Sequence, residues 1–135
     1  MSAEVLITII GAALALLGLI SYLVRRPNKG LKRQHFRKKW RELQKLCANA
    51  ETWPLAVIQA DSLLDEALKR KHFKGKTMGE RLVSAQRSLT NNDGVWYGHK
   101  LRNQLVHNSG VKPREKDVKD ALVGIGQALR DLGAI

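Results

Sequence analysis

The sequence predicts an all-α protein in which one N-terminal transmembrane helix precedes a bundle of four or five helices. Residues 5–24 form an uncharged apolar run, and apolar residues in the remainder recur at intervals of three and four. The sequence lacks the sustained alternation of apolar and polar residues that indicates half-buried strands. The 135 residues leave room for one modest core, since a domain takes about 100 to 150 residues. The single cysteine, Cys47, excludes an intramolecular disulfide and is interpreted as a packing residue.

The apolar run "VLITIIGAALALLGLISYLV" is twenty residues long, and a helix of that length spans the roughly 30 Å hydrocarbon core of a bilayer. A cleaved signal peptide is disfavoured because "MSAEV" has no basic residue and "SYLVRR" offers no small-x-small cleavage site. Basic residues crowd the segment that follows, and such residues are retained on the cytoplasmic side of a membrane. We therefore expect a single-pass membrane protein, with residues 1–4 as a short extracytoplasmic tail and the C-terminal domain in the cytoplasm.

Residues 25–50 are predicted to form a basic juxtamembrane hinge and an amphipathic helix. The first 21 of them contain ten Lys or Arg and one acidic residue, in a chain of net charge +12. Pro27 favours a hinge, and the apolar spacing predicts a helix over residues 31–49. Anionic lipid is the favoured ligand, since each basic residue near such a surface adds about 1 kcal/mol; RNA phosphate is the alternative. The residues expected to bind lipid or phosphate are Arg25, Arg26, Lys29, Lys32, Arg33, Arg37, Lys38 and Lys39.

Residues 51–135 are predicted to form the helical domain, and its first half contains two helices. Pro54 suits the first turn of a helix that runs to about residue 71, because proline lacks the N–H that is unsatisfied there in any case. After a loop, Thr77 and Glu80 have the spacing of a capping box, which indicates the start of the next helix. The sequence therefore predicts two helices joined by the loop "HFKGK".

Two further helices are predicted in the second half of this domain. The segment "TNNDG" interrupts the helical pattern, and Asn92 or Asp93 is expected to cap the next helix, because Asn and Asp side chains accept hydrogen bonds from free N–H groups. That helix is expected to end near "HNSG". Pro113 is expected to begin a final helix, which ends at Gly133.

Asp61 falls on the apolar stripe of its predicted helix, four residues after Val57 and three before Leu64. A carboxylate at such a position is buried, and a buried charge needs a partner. We expect a cation from elsewhere in the chain, with Arg102 as the first candidate. A metal site built on Asp61 and Asp65 is disfavoured because the sequence supplies no further set of ligands. We expect no cofactor.

The stretch "HKLRNQLVHN" carries the candidate chemistry. On a helix, His99, Asn103 and His107 form one stripe, and Arg102 lies about 100° to one side of Asn103. Imidazoles accept and donate protons near neutral pH, and a guanidinium stabilises charge on phosphate oxygens. The set therefore suits a phosphodiester, whereas two histidines without a nearby carboxylate make a weak zinc site. The residues expected to support this site or to bind are Asp61, Trp96, His99 and Lys100.

The segment "LRNQLVH" resembles the signature of the HEPN superfamily, in which an Arg and a following polar residue precede a His after four to six intervening residues. Arg102, Asn103 and His107 match these positions, and the helical pattern of residues 53–132 is also similar to HEPN domains. The resemblance implies a homodimer with a composite site that cleaves RNA without metal, as the substrate 2′-hydroxyl attacks the phosphate. It assigns acid/base work to His107, phosphate binding to Arg102, and orientation or phosphate contact to Asn103. We therefore expect a domain that binds RNA or nucleotide at these residues, with metal-independent RNA cleavage as the expected activity.

A second hypothesis belongs to a different functional class. The chain would then be a membrane-tethered helical adaptor or scaffold that binds a protein partner and has no catalytic activity. In that case Arg102 pairs with Asp61, and His107 stabilises the C-terminus of its helix by about 0.3–1 kcal/mol. Exposed apolar surface without a basic cleft around His107 favours the adaptor.

Overall fold

The fold is described from a computed structural model, which describes residues 2–24 and 31–135. The chain divides into two compact units, Met1–Gly30 and Leu31–Ile135. Every regular element within the described residues is helical, which confirms the predicted all-α fold class. The α-helices are α1 (Ala3–Val24), α2 (Arg33–Lys45), α3 (Trp53–Arg70), α4 (Met78–Ala85), α5 (Asn92–His107) and α6 (Glu115–Asp131).

The first unit consists of α1, which is long and apolar enough over Ala3–Leu23 to cross a membrane. Its described side chains are exposed throughout. The hydroxyl of Thr8 donates to the backbone carbonyls of Val5 and Glu4, at 2.8 and 3.1 Å. This bonding matters because polar groups that face hydrocarbon must be satisfied within the helix. The length and composition of α1 therefore suit a lipid environment.

The second unit is a bundle whose core lies where α3, α5 and α6 pack against one another. The smaller helices α2 and α4 pack on α3. Each of the five helices contributes to the largest fully buried side chains, which are Phe36, Leu43, Val57, Leu64, Leu68, Leu82, Val95, Ile125 and Leu129. A helical bundle thus follows α1, as predicted.

The helix α2 ends at Lys45, four residues before the predicted end. Two 3₁₀ turns follow, at Leu46–Ala48 and Ala50–Thr52. The reason is local: Asn49 is extended, and its side-chain oxygen accepts a hydrogen bond from the N–H of Glu51. Cys47 lies in the first turn and packs beside a buried cluster. Burial raises the pKa of its thiol, which agrees with a packing role.

The observed helix starts lie within two residues of the predicted ones. Thr77 accepts a hydrogen bond from the N–H of Glu80, as expected, but the Glu80 carboxylate accepts from the N–H of Lys76 instead of that of Thr77. The predicted cap of α5, Asn92 or Asp93, was one or two residues late, because Asn91 is the residue whose side chain accepts from the N–H of Gly94. The helix α6 begins at Glu115, after Pro113, because Arg114 forms the cap with Asp117.

Glycine allows α5 and α6 to approach closely. A Cβ added to Gly124 of α6 would overlap the backbone carbonyl of Gly94 in α5. One turn further along α5, a Cβ on Gly98 would lie 2.9 Å from the Ile125 side chain. A Cβ on Gly126 would lie 2.8 Å from the indole of Trp40. The helix α6 can therefore lie this close to α5 and to Trp40 only because these glycines have no side chain.

Replacing Gly124 by alanine should destabilise the bundle by about 3 kcal/mol or more, because the added methyl meets a backbone carbonyl and overpacking costs about 1–3 kcal/mol even where side chains can yield. Thermal unfolding of the full chain in detergent, followed by circular dichroism, measures the effect. Val123→Ala is the matched control, since Val123 is 57% exposed on the same helix and should change stability by less than about 0.5 kcal/mol. Equal melting temperatures for the two variants would contradict the close packing.

Candidate functional site

Asp61 on α3 and His99 on α5 form the centre of the candidate site. Asp61 is 4% exposed and His99 is 9% exposed. His99 Nδ1 lies 3.0 Å from Asp61 Oδ1. An ionised carboxylate only accepts hydrogen bonds, so this contact requires the proton on Nδ1. In the neutral imidazole, Nε2 is then an acceptor.

Arg102 and Asn103 complete this cluster. Arg102 Nε lies 3.7 Å from Asp61 Oδ2, so the expected ion pair is present. The guanidinium also donates from Nη1 to Asn103 Oδ1 at 2.9 Å. Asn103 Nδ2 lies 3.4 Å from His99 Nε2, the geometry of a weak hydrogen bond to that acceptor. The buried Nε of Arg102 has no hydrogen-bond partner, so Asp61 attracts it only by charge.

His99 was not predicted as a partner of Asp61, although it makes the shorter contact. His99 and Arg102 are three residues apart on α5, so both can face the same residue of α3. That spacing was the signal in the sequence. The choice between an arginine and a histidine depended on how α3 and α5 cross, which the helical pattern does not contain.

A second group of charges lies one turn along α3. Arg81 donates to both oxygens of Asp65, from Nε at 2.7 Å and from Nη2 at 3.1 Å. Lys69 Nζ lies 2.9 Å from the same carboxylate. Burial alone would raise the pKa of Asp65, but the hydrogen bonds and charges of Arg81 and Lys69 outweigh it and lower that pKa below its usual value. Arg81 also donates to the carbonyl of Gly75 at 2.7 Å, which ties the loop before α4 to α3.

The first group and Asp65 of the second line one cleft of about 410 Å³ between α3, α5 and the start of α4. The Arg102 side chain lines this cleft and is 31% exposed, although its Nε is buried. Within the described residues, no three His, Cys, Asp or Glu side chains are arranged to hold a metal ion. The lining residues are Asp61, Ser62, Asp65, Thr77, Met78, Gly79, His99, Arg102 and Asn103.

The other predicted site residues lie outside this cleft. His107 is exposed at the last position of α5. Trp96 packs edge-on against His99, with 5.9 Å between ring centroids, and belongs to the packing around the core. Lys100 is exposed and lines a different cleft of about 290 Å³, together with Tyr97 and Asp117. The structure therefore brings together Asp61, His99, Arg102 and Asn103, and leaves His107, Trp96 and Lys100 around them.

The predicted lipid- or phosphate-binding residues fall into two sets. Five belong to the N-terminal part of the bundle and are exposed: Lys32, Arg33, Arg37, Lys38 and Lys39. Arg25, Arg26 and Lys29 lie outside the described residues. The opposite face of α2 buries Phe36 and Leu43, so this helix is amphipathic as expected.

Comparison of the chain with protein-family models, curated proteins and solved structures finds no match.

Removing the carboxylate in Asp61→Ala should cost about 3 kcal/mol, because His99 and Arg102 lose their shared partner and losing one member of a buried pair costs about 3–5 kcal/mol. The partial hydration of Arg102 places the effect at the lower end. Chemical denaturation of the full chain measures it. Ser62→Ala, at the exposed neighbouring position, is the control and should change stability by less than about 0.5 kcal/mol. A loss below about 1 kcal/mol in Asp61→Ala would contradict the cluster.

Asp65 should make the stability of the bundle depend on acid. Folding lowers the pKa of the Asp65 carboxyl. Its contribution to the free energy of unfolding is therefore fully present above the pKa of the unfolded state, about 3.9. That contribution is lost as the pH falls through the pKa of the folded state. The melting temperature of the native chain should therefore exceed that of Asp65→Asn at pH 6, and the difference should shrink below about pH 4. Asp93→Asn, at an exposed position, should track the native chain throughout. A constant difference between the native chain and Asp65→Asn would be inconsistent with this assignment.

Proposed function

We propose that the chain is a single-pass membrane protein whose C-terminal, cytoplasmic helical domain binds RNA and cleaves it without a metal, as a HEPN-like endoribonuclease. The observation that carries this proposal is the position of Arg102. Asp61 and Asn103 hold its guanidinium at the cleft, and 31% of the side chain remains exposed. A fixed and accessible arginine suits the phosphate of an RNA backbone.

The proposed reaction uses the substrate's own 2′-hydroxyl as nucleophile. His107 removes the proton from this hydroxyl, the oxygen attacks the adjacent phosphorus, and the bond to the 5′-oxygen of the next nucleotide breaks. A protonated His107 side chain gives a proton to that leaving oxygen. Arg102 stabilises the added charge on the phosphate oxygens. The products carry a 2′,3′-cyclic phosphate and a free 5′-hydroxyl, so the step needs no other reactant.

The spacing of Arg102 and His107 favours a site shared by two copies of the chain. Five residues of helix separate their positions by about 7.5 Å along the axis and about 140° around it. One copy therefore does not readily place both groups on one phosphate, whereas two copies meeting along α5 can combine them. Val106, the residue before His107, is 47% exposed, and Val111, in the segment after α5, is 38% exposed. Both supply apolar surface for such a contact. A homodimer is part of the proposal.

A second candidate function is the non-catalytic adaptor, which a different surface favours. A groove of about 370 Å³ runs between the end of α2 and the first half of α6. Apolar and aromatic side chains predominate in its lining, and Val123 at its edge is 57% exposed. Such a groove suits a protein partner. The apolar residues that line it are Trp40, Cys47, Trp53, Val118, Leu122 and Val123.

The nuclease proposal predicts that His107→Ala reduces RNA cleavage by at least about 100-fold, the usual contribution of a general acid or base. The assay uses the full chain in detergent, labelled single-stranded RNA and EDTA. The melting temperature should not change, because His107 is exposed. Gln104→Ala, at another exposed position of α5, is the matched control and should retain activity.

Two results would contradict the nuclease. A His107→Ala variant as active as the native chain would remove His107 from the reaction. A native chain that leaves RNA intact and remains monomeric by light scattering would instead support the adaptor.

A further inference from the structure

The connection between α3 and α4 contains a second concentration of positive charge, "KRKHFKGK", at residues 69–76. Lys69 and Arg70 form ion pairs with Asp65 and Glu66, one turn earlier on α3. Within the described part of the chain, the other three lysines of this loop form no ion pair, and all three are exposed: Lys71, Lys74 and Lys76. Their charge is therefore available to a ligand.

The end of α3, which leads directly into this loop, lies beside the start of α2. His35 Nε2 lies 2.9 Å from Glu66 Oε1, and the Arg70 guanidinium lies 5.6 Å from the centre of the Phe36 ring. Two segments that are about thirty-five residues apart in the sequence thus meet at one end of the bundle.

The last residues of the chain also lie at this end. Arg33 Nη2 donates to the backbone oxygen of Ile135 at 3.4 Å, and Lys71 Nζ donates to that of Leu132, also at 3.4 Å. The same short segment therefore contacts a basic side chain from α2 and one from the loop. Arg33 and Lys71 therefore lie at the same end of the bundle, and the exposed Lys32 precedes Arg33 in the chain.

The backbone of the loop is held in place, so its lysines project from a fixed support. Ser84 Oγ donates to the carbonyl of Lys74 at 2.6 Å, and Arg81 Nη1 donates to that of Gly75 at 2.7 Å. The ring of Phe73 packs against the core. Because the aromatic side chain points to the core, the loop offers charge to a ligand, and it does not offer an apolar wedge.

The start of α2 is also the part of the bundle nearest to α1 in the sequence. Residues 25–30 are the only link between Val24 and Leu31. At about 3.3–3.6 Å per residue, a link of that length reaches at most about 25 Å. A membrane that contains α1 therefore remains within reach of the basic end of the bundle.

We infer that Lys71, Lys74 and Lys76, together with Lys32 and Arg33, form a docking surface for the anionic lipid headgroups of the membrane that α1 spans. The inference rests on the proposed membrane anchor and is independent of the proposed nuclease. Lysine ammonium groups are compact charges with three donors each, which suits phosphate and carboxylate headgroups. Their attraction to an anionic surface falls off within a Debye length, about 8 Å at physiological salt.

Lysine methylation by formaldehyde and a mild reductant, read by mass spectrometry, tests this surface directly. The full chain is placed in nanodiscs of phosphatidylcholine alone or with about 30% phosphatidylserine. The methylation rate of Lys71, Lys74 and Lys76 should fall at least about threefold in the anionic nanodiscs and recover at high salt, since salt screens the attraction. Lys100 and Lys119, exposed on α5 and α6, serve as internal controls and should react equally in both.

A pair of charge-reversed variants separates a local surface from total charge. Lys74→Glu with Lys76→Glu should abolish the protection of Lys71. Lys100→Glu with Lys119→Glu makes the same change in net charge and should leave that protection intact. The reversed loop lysines are exposed, and equal melting temperatures of the two variants would show that both fold.

Each other result overturns part of the account. Equal methylation rates in both nanodiscs would exclude the lipid surface while leaving the anchor intact. Protection that requires added RNA in either nanodisc would assign these lysines to nucleic acid. A chain that does not co-elute with nanodiscs at all would remove the anchor, and the lipid surface with it.

Discussion

A single buried carboxylate organises the bundle at its candidate site. Asp61 lies on the side of α3 that packs into the core, where an unpaired charge costs several kcal/mol. Both of its partners belong to α5: His99 at 3.0 Å and Arg102 at 3.7 Å. The requirement to neutralise Asp61 therefore fixes the rotation of α5 against α3, and through it the direction in which Arg102 and Asn103 project.

The same interaction connects stability with the proposed chemistry. Arg102 is held by Asp61 and bonds to Asn103, yet its side chain lines the cleft and is 31% exposed. His99 is buried against Asp61 and is occupied by that contact. His107 is exposed at the end of α5, so its proposed chemical role can be tested separately from the stability of the fold. Arg102 both pairs with Asp61 and lines the cleft. The same residue therefore fits the nuclease hypothesis and the adaptor hypothesis.

Periodicity in the sequence was sufficient for the fold class and for most of the helices, because apolar residues at intervals of three and four mark the buried face of each helix. It also identified Asp61 as a charge in need of a partner. It did not identify His99 as the closer partner, because that choice depends on the crossing of two helices. The contact of Gly124 with Gly94 was missed for the same reason. The proximity of the basic loop to the start of α2 arises only when the chain folds.

The proposed nuclease cleaves RNA through the substrate's own 2′-hydroxyl, and a defined oligonucleotide tests this step. The full chain is incubated in EDTA with a short RNA, and the products are identified by mass spectrometry. The same RNA with a single 2′-deoxy residue at the cleavage position is treated in parallel. The account predicts a 2′,3′-cyclic phosphate from the RNA and no cleavage at the deoxy position. Cleavage of the deoxy bond, or an intact RNA in both samples, would contradict it.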